Sequence, residues 1–162
     1  MHQLLMSGSD RARLWTHLLQ GKEEEAAFIF THPETLTPIH TVFVPRDGFA
    51  YKSRFGFELT DSYRASIIKK AHDLGTMIIE LHSHPFPATA CLSPTDIDGL
   101  REFVPHVRWR LKGKPYAAIV VALKGFDALF WPADGPPEAL ALNIDGTILL
   151  PTRKSLEQWS YA

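Results

Sequence analysis

The run Thr76-Met77-Ile78-Ile79-Glu80-Leu81, followed at once by His82-Ser83-His84-Pro85, constrains this chain more than any other segment. It is apolar enough for a buried strand, and Pro85 ends it. Side chains two apart on a strand leave the same face, so His82 and His84 point together. Two residues of rise separate their Cβ atoms by roughly 6.5–7 Å, and each ring can lean inward to put one nitrogen about 2.0–2.1 Å from a shared zinc ion. A third ligand has to come from elsewhere.

Asp96 is the natural choice. Ser93 reads as a helix N-cap, Pro94 as the first helical residue and Asp96 as the N3 acid of a capping-box-like start, with the helix running on through Ile97, Leu100 and Phe103. A helix start held by its own cap is a stiff mount for a ligand. Taken alone, Ser-x-x-Asp before an apolar run is only a cap, and a lone His-x-His on a strand is a weak metal signal. The two in this order, within fifteen residues, make a site.

These residues carry a family resemblance. An upstream Glu, then His-Ser-His-Pro, then Ser-x-x-Asp resembles the signature of the JAMM (MPN+) metalloproteases, or JAB-domain proteins, and the chain looks like their bacterial single-domain branch. The resemblance implies an α/β (α+β) chain with the cytidine-deaminase-like MPN/JAB fold, a central mixed β-sheet flanked by helices. It implies His82, His84 and Asp96 as ligands of one Zn2+ per chain, and Ser93 as the hydroxyl that steadies the oxyanion. The family has ten residues between the second His and the Asp, whereas eleven, Pro85 through Thr95, intervene here. An extra loop residue costs little, so Asp96 stays the expected ligand, with Asp98 as the alternative.

The same resemblance supplies a general base on an early strand. Glu25-Ala26-Ala27-Phe28-Ile29-Phe30 fits the family's register and points to Glu25. Glu24 is expected on the opposite face. Glu80, which shares a face with His82 and His84, is the rival as base or as support for a ligand. A zinc ion with three protein ligands keeps a fourth position for water and lowers that water's pKa to about 7. Glu25 would take the proton and later give it to the departing amine. Cys91, the single cysteine, tempts one toward a thiol nucleophile. A nucleophilic cysteine needs an activating base, and the nearby imidazoles are better used on metal, so Cys91 reads as a loop residue.

Function follows the resemblance in three versions. The first is a zinc isopeptidase or peptidase that cuts the amide bond after the C terminus of a ubiquitin-like protein, in deconjugation or precursor processing. Bacterial members of that kind accompany activating and conjugating enzymes in antiviral defence. The second is a zinc hydrolase of a small molecule or a short peptide tail, such as one releasing cysteine from a carrier protein. The third is an inactive MPN scaffold, a type that commonly loses ligands this chain keeps. In the family the substrate's tail lies along a sheet edge beside the metal. The loop from Pro45 to Gly56, with Arg46, Tyr51, Lys52, Arg54 and Phe55, is long and aromatic enough to border such a tail.

Composition narrows the remaining classes. The 162 residues suit one domain, 1–162, and a net charge of −1 gives no reason to expect nucleic acid or an anionic membrane. The basic stretch Arg108-Trp109-Arg110-Leu111-Lys112-Gly113-Lys114 reads as a solvated loop or helix end rather than a phosphate site. With no signal-like segment or long apolar span, a cytoplasmic, soluble protein is expected. Helices are expected over Ser9–Gln20 and Asp61–Leu74, the latter with Tyr63, Ile67, Ile68, Ala71 and Leu74 inward. Strands are expected at Ala26–Thr31, Ile39–Val44, Phe57–Leu59, Tyr116–Leu123 and Asp127–Trp131. A type I′ hairpin is expected about Asp145-Gly146. His2 reads as terminal tail, His17 and His72 as helical, His32 as part of a turn, and His106 as part of a loop after Pro105. His40 lies on a strand.

Overall fold

Three segments carry no polar face: Ala26–Thr31 and Tyr116–Ala122 are buried at every residue, and Met77–Ser83 at every residue but Glu80. Such runs have to be covered on both sides, which puts them at the middle of a sheet with layers above and below. A computed structural model describes residues 1–161. It runs β1 (His2–Met6), α1 (Gly8–Leu18), β2 (Ala26–Thr31), β3 (Pro38–Phe43), β4 (Phe49–Lys52), β5 (Phe57–Leu59), α2 (Asp61–Leu74), β6 (Met77–Ser83), α3 (Pro94–Arg110), β7 (Tyr116–Ala122), β8 (Gly125–Trp131), β9 (Glu138–Ile144), β10 (Thr147–Leu149) and α4 (Lys154–Tyr161).

The sheet is mixed. Its strand order is β1-β9-β8-β7-β6-β2-β3, with β10 also on β9, while β4 and β5 form a separate hairpin. β6 and β7 are parallel, as are β1 and β9, and the other pairs are antiparallel. A parallel neighbour requires a crossover, and α3 supplies it between β6 and β7. The sheet curls until Leu5 N donates to Leu36 O at 3.2 Å, joining β1 to the β2–β3 connection. Leu14 and Leu18 of α1 pack on one face with Ile29, Ile79, Leu81, Ile119 and Leu140. The other face carries Phe28, Phe30, Ile78, Ala118 and Val120 beneath α2 and α3, with Leu156 and Trp159 of α4 alongside.

Several expectations needed tertiary information. β1 includes His2, whose ring lies 3.1 Å from Glu138 Oε2 and against Phe130, so it is not a tail. Leu74 ends α2 largely exposed rather than inward. α3 runs through Pro105 to Arg110, so His106 is helical. Burying Ile97, Leu100, Val104 and Val107 along one stripe contributes about 1.5–3 kcal/mol each, more than the roughly 3 kcal/mol an interior proline costs. The 45–56 loop contains β4, which pairs back on β5. That hairpin sits close on α2: a Cβ on Gly48 would lie 2.9 Å from Val44 Cγ1 and 3.1 Å from the Tyr63 ring. The Asp145-Gly146 turn has positive φ at both residues, 49° and 93°, as a type I′ hairpin demands. No helix among the described residues is long and apolar enough to cross a membrane.

Candidate metal centre

The end of β6 is fixed by its neighbours on both sides. His82 pairs with Ala26 of β2 and with Val120 of β7. Beyond it, Ser83 N donates to Glu25 O at 3.1 Å and His84 N to Val121 O at 2.9 Å. Both imidazoles are buried and on one face, and their Nε2 atoms lie 3.2 Å apart. The extra loop residue is absorbed without displacing the third ligand. Lys124 N donates to Ala88 O, the Thr152 hydroxyl to Ala90 O, and Leu92 N to the buried Ser155 Oγ, which moors the loop to the far end of the chain. α3 then starts at Ser93 with a reciprocal cap. Asp96 N donates to Ser93 Oγ at 3.1 Å, and Ser93 N to Asp96 Oδ2 at 2.8 Å.

That cap aims Asp96 at the histidines. Its Oδ2 lies 3.3 Å from His82 Nε2 and 3.1 Å from His84 Nε2. A tetrahedral ion with bonds of about 2.0–2.1 Å separates its donors by about 3.3–3.4 Å, so the three atoms have the spacing of ligands around one ion. Asp98 is exposed and takes no part. The structure thus brings His82, His84 and Asp96 together at one point.

The acid that completes the group is Glu24, not Glu25. Ala26 faces His82 across the β2–β6 pair and Glu25 bonds to Ser83, so one step further along the chain brings Glu24 opposite His84. Ligand atoms of Glu24, His82 and His84 lie within 4.8 Å of one another in a buried group that could hold a metal ion. Glu24 is 4% exposed, and its Oε1 is buried with no hydrogen-bond partner. Glu25 faces the other way, with Lys52 Nζ at 2.7 and 2.8 Å from its two oxygens. The sequence reading had these faces reversed, because the parity of β2 is set by pairing and not by the order of residues. Ser93 Oγ accepts from Asp96 N–H and keeps its own proton to donate.

The charges interact strongly. Burial pulls His82 down, but the charge and hydrogen bond of Asp96, then Glu24 and Glu80, outweigh it and carry its pKa up to about 9. Burial pushes Asp96 up, and His82, His84 and the Ser93 N–H outweigh that, holding it far below the usual carboxylate range. Glu24 is raised chiefly by burial, against the pull of both histidines. Glu80 is also raised by burial, with the Tyr116 hydroxyl opposing. The thiol of Cys91 is pushed up by burial and lies 3.6 Å from Gln158 Oε1, which suits a loop residue and not a nucleophile.

A cavity of about 770 Å³ opens from His82 and Asp96, between the sheet, α2, α3 and the β4–β5 hairpin. Phe57 of the hairpin lies 5.5 Å from the His82 ring, and Glu24 N donates to Ser53 O at 2.8 Å, tying the hairpin to the metal side of β2. At its tip, Phe55 is 79% exposed, and Arg54 lies over both Phe55 and Phe86 of the loop after Pro85. Tyr51 and His106, both exposed, also line the cavity. The basic stretch from Arg108 has no part in it.

No family model and no curated protein matches the chain. Among solved structures it is similar to the solution structure of protein DSY2949 from Desulfitobacterium hafniense, at 15% sequence identity and a TM-score of 0.51, over 86% of this chain and 92% of that one. That likeness concerns the fold: a curled mixed sheet with helices on its faces is an arrangement this chain shares with an independently solved protein.

Proposed function

We propose that the chain is a zinc-dependent amide hydrolase of the JAMM (MPN+) type with the MPN/JAB fold, cutting the bond that follows the C terminus of a ubiquitin-like protein. The observation that carries the reading is the convergence of His82 Nε2, His84 Nε2 and Asp96 Oδ2 at 3.1–3.3 Å, beside a buried glutamate with an unpartnered oxygen. Two imidazoles and one carboxylate are the donor set of hydrolytic zinc sites with an open position. Bound there, zinc would supply Lewis acidity and make water a nucleophile near neutral pH.

The chain's own groups do the rest. Asp96, restrained by the Ser93 N–H, stays ionised and holds both rings in place. Glu24, raised by burial, takes the proton of the attacking water as the new carbon–oxygen bond forms. The Ser93 hydroxyl donates to the oxyanion, a type of contact worth about 2.7–4 kcal/mol in other hydrolases. Glu24 then returns the proton to the amine nitrogen as the carbon–nitrogen bond breaks. No covalent intermediate is needed. The exposed Phe55, Arg54 and Phe86 at the site's edge are suited to an extended tail.

The deciding experiment is a cleavage assay on a ubiquitin-like protein fused, and separately isopeptide-linked, through its C-terminal glycine, with a chelator-treated control. Cleavage that stops with chelator and with Glu24→Gln supports the proposal. An intact, zinc-loaded protein that leaves both substrates whole would exclude this substrate class. The cavity favours a second reading, a zinc hydrolase for a small molecule or short tail, since about 770 Å³ falls within the range of small-molecule sites.

A further inference from the structure

β6 presents a second acid on the face that carries the histidines. Glu80 stands two residues before His82, a step of about 6.5–7 Å along the strand, and lines the same cavity. The Tyr116 hydroxyl donates to its Oε1 at 2.7 Å. Among the described residues no hydrogen bond reaches its Oε2 and no ion pair involves it. Arg64 also lines the cavity, but its guanidinium lies over the Phe103 ring at 5.5 Å rather than on Glu80. Glu58 and Glu102 stand at the exposed margin. Carboxylates thus outnumber cations along this wall.

We infer that the inner part of the cavity is a subsite for a positively charged group of the substrate, an alkylammonium or alkylguanidinium, received by Glu80. It rests on the hydrolase reading only for its position, one strand repeat from the reacting amide. Glu80 is only half-buried on the cavity wall, and the charges of His82 and Arg64 act on it through space without forming an ion pair. Tyr116 fixes one oxygen and leaves the other for an incoming donor. A guanidinium can engage it through a charge-assisted hydrogen bond, while Phe57 and Phe103 offer apolar surface to the methylenes of its stem. The substrate class is therefore an amide with a basic side chain a short alkyl length from the scissile bond.

The test needs no turnover. Zinc-reconstituted full chain is titrated by NMR with n-butylguanidinium, n-butanol and butyrate, the first being a cation too basic to ligate metal. The inference expects saturable binding of butylguanidinium, about ten-fold or more tighter than the other two, and a loss of about ten-fold in Glu80→Gln with zinc content unchanged. Butyrate bound as tightly as the cation in chelator-treated as well as zinc-loaded protein, so that its carboxylate is not simply ligating the metal, would make Arg64 the determinant and overturn it. Equal binding of butanol, or no loss in a folded Glu80→Gln, would do the same. If that variant does not fold, the wild-type ligand series decides by itself. Cation binding in a chain that cleaves no amide would keep the subsite and sink the hydrolase; cleavage without cation preference would sink the subsite alone.

Discussion

Glu24 and Glu25 are neighbours in sequence, both buried, and belong to opposite faces of one sheet. On the face of Glu25, a lysine ammonium spans both carboxylate oxygens and nothing is left over. On the face of Glu24, an oxygen has no partner, and the nearest groups are two imidazoles whose nitrogens meet an aspartate oxygen. A buried acid with its own cation is structural. A buried acid with an unpartnered oxygen, whose only positive neighbours are imidazoles already shared with an aspartate, is explained by what binds beside those donors.

The largest effect expected at this contrast comes from removing a donor. His84→Ala should bring zinc from about one per chain to nearly none by metal analysis, and abolish turnover; unchanged zinc would refute the ligand set. Next is the glutamate pair. Glu24→Gln should keep zinc and lower kcat by about 10²–10⁴-fold, whereas Glu25→Gln should leave turnover and cost about 1–2 kcal/mol of stability, because Lys52 loses its partner. Denaturant titration and kinetics on the two variants separate the faces. The reverse outcome would restore Glu25 as the base. Ser93→Ala should lower kcat more than it raises KM and loosen the start of α3 by about 1 kcal/mol. Ser93→Thr, which keeps both the hydroxyl and the cap, should recover most of both.

The contrast also shows what the sequence could carry. His82 and His84 share a face by strand periodicity, and Ser93 and Asp96 share a cap by helix geometry, so each pair is legible within four residues. Their meeting was inferred from order and resemblance, and the eleven-residue spacer reaches because Ala88, Ala90 and Leu92 are moored to residues from Lys124 to Ser155. Nothing local says which of Glu24 and Glu25 faces inward. Ala26–Thr31 is apolar on both sides, and a one-residue shift of register would exchange them. β1 is likewise invisible locally, since it exists by parallel pairing with β9, the length of the chain away. Pro105 misled for the opposite reason: a local rule was overridden by a buried stripe on either side of it. Tyr116 reaching Glu80 had no local signal either, as it depends on the parallel register of β6 and β7.

A last measurement, read in Tm and not in turnover, tests whether the Glu24 face is organised for a proton or for a metal. Without metal, the folded-state pKa of His82 is raised to about 9 from its ordinary 6.5. A raised value means that protonated His82 stabilises the fold fully below about pH 6.5 and that this contribution is lost as pH rises through about 9. Metal reverses the sign, because it binds the neutral rings and has to displace the proton. Thermal unfolding between pH 6 and 9 should therefore show the chelated protein losing stability with pH and the added stabilisation by zinc growing over the same window. The two curves should nearly meet at the acid end and diverge toward the alkaline end. His82→Ala should flatten both. A zinc increment that stays constant across the window would mean that the ion displaces no proton from His82 there, and would overturn the raised pKa.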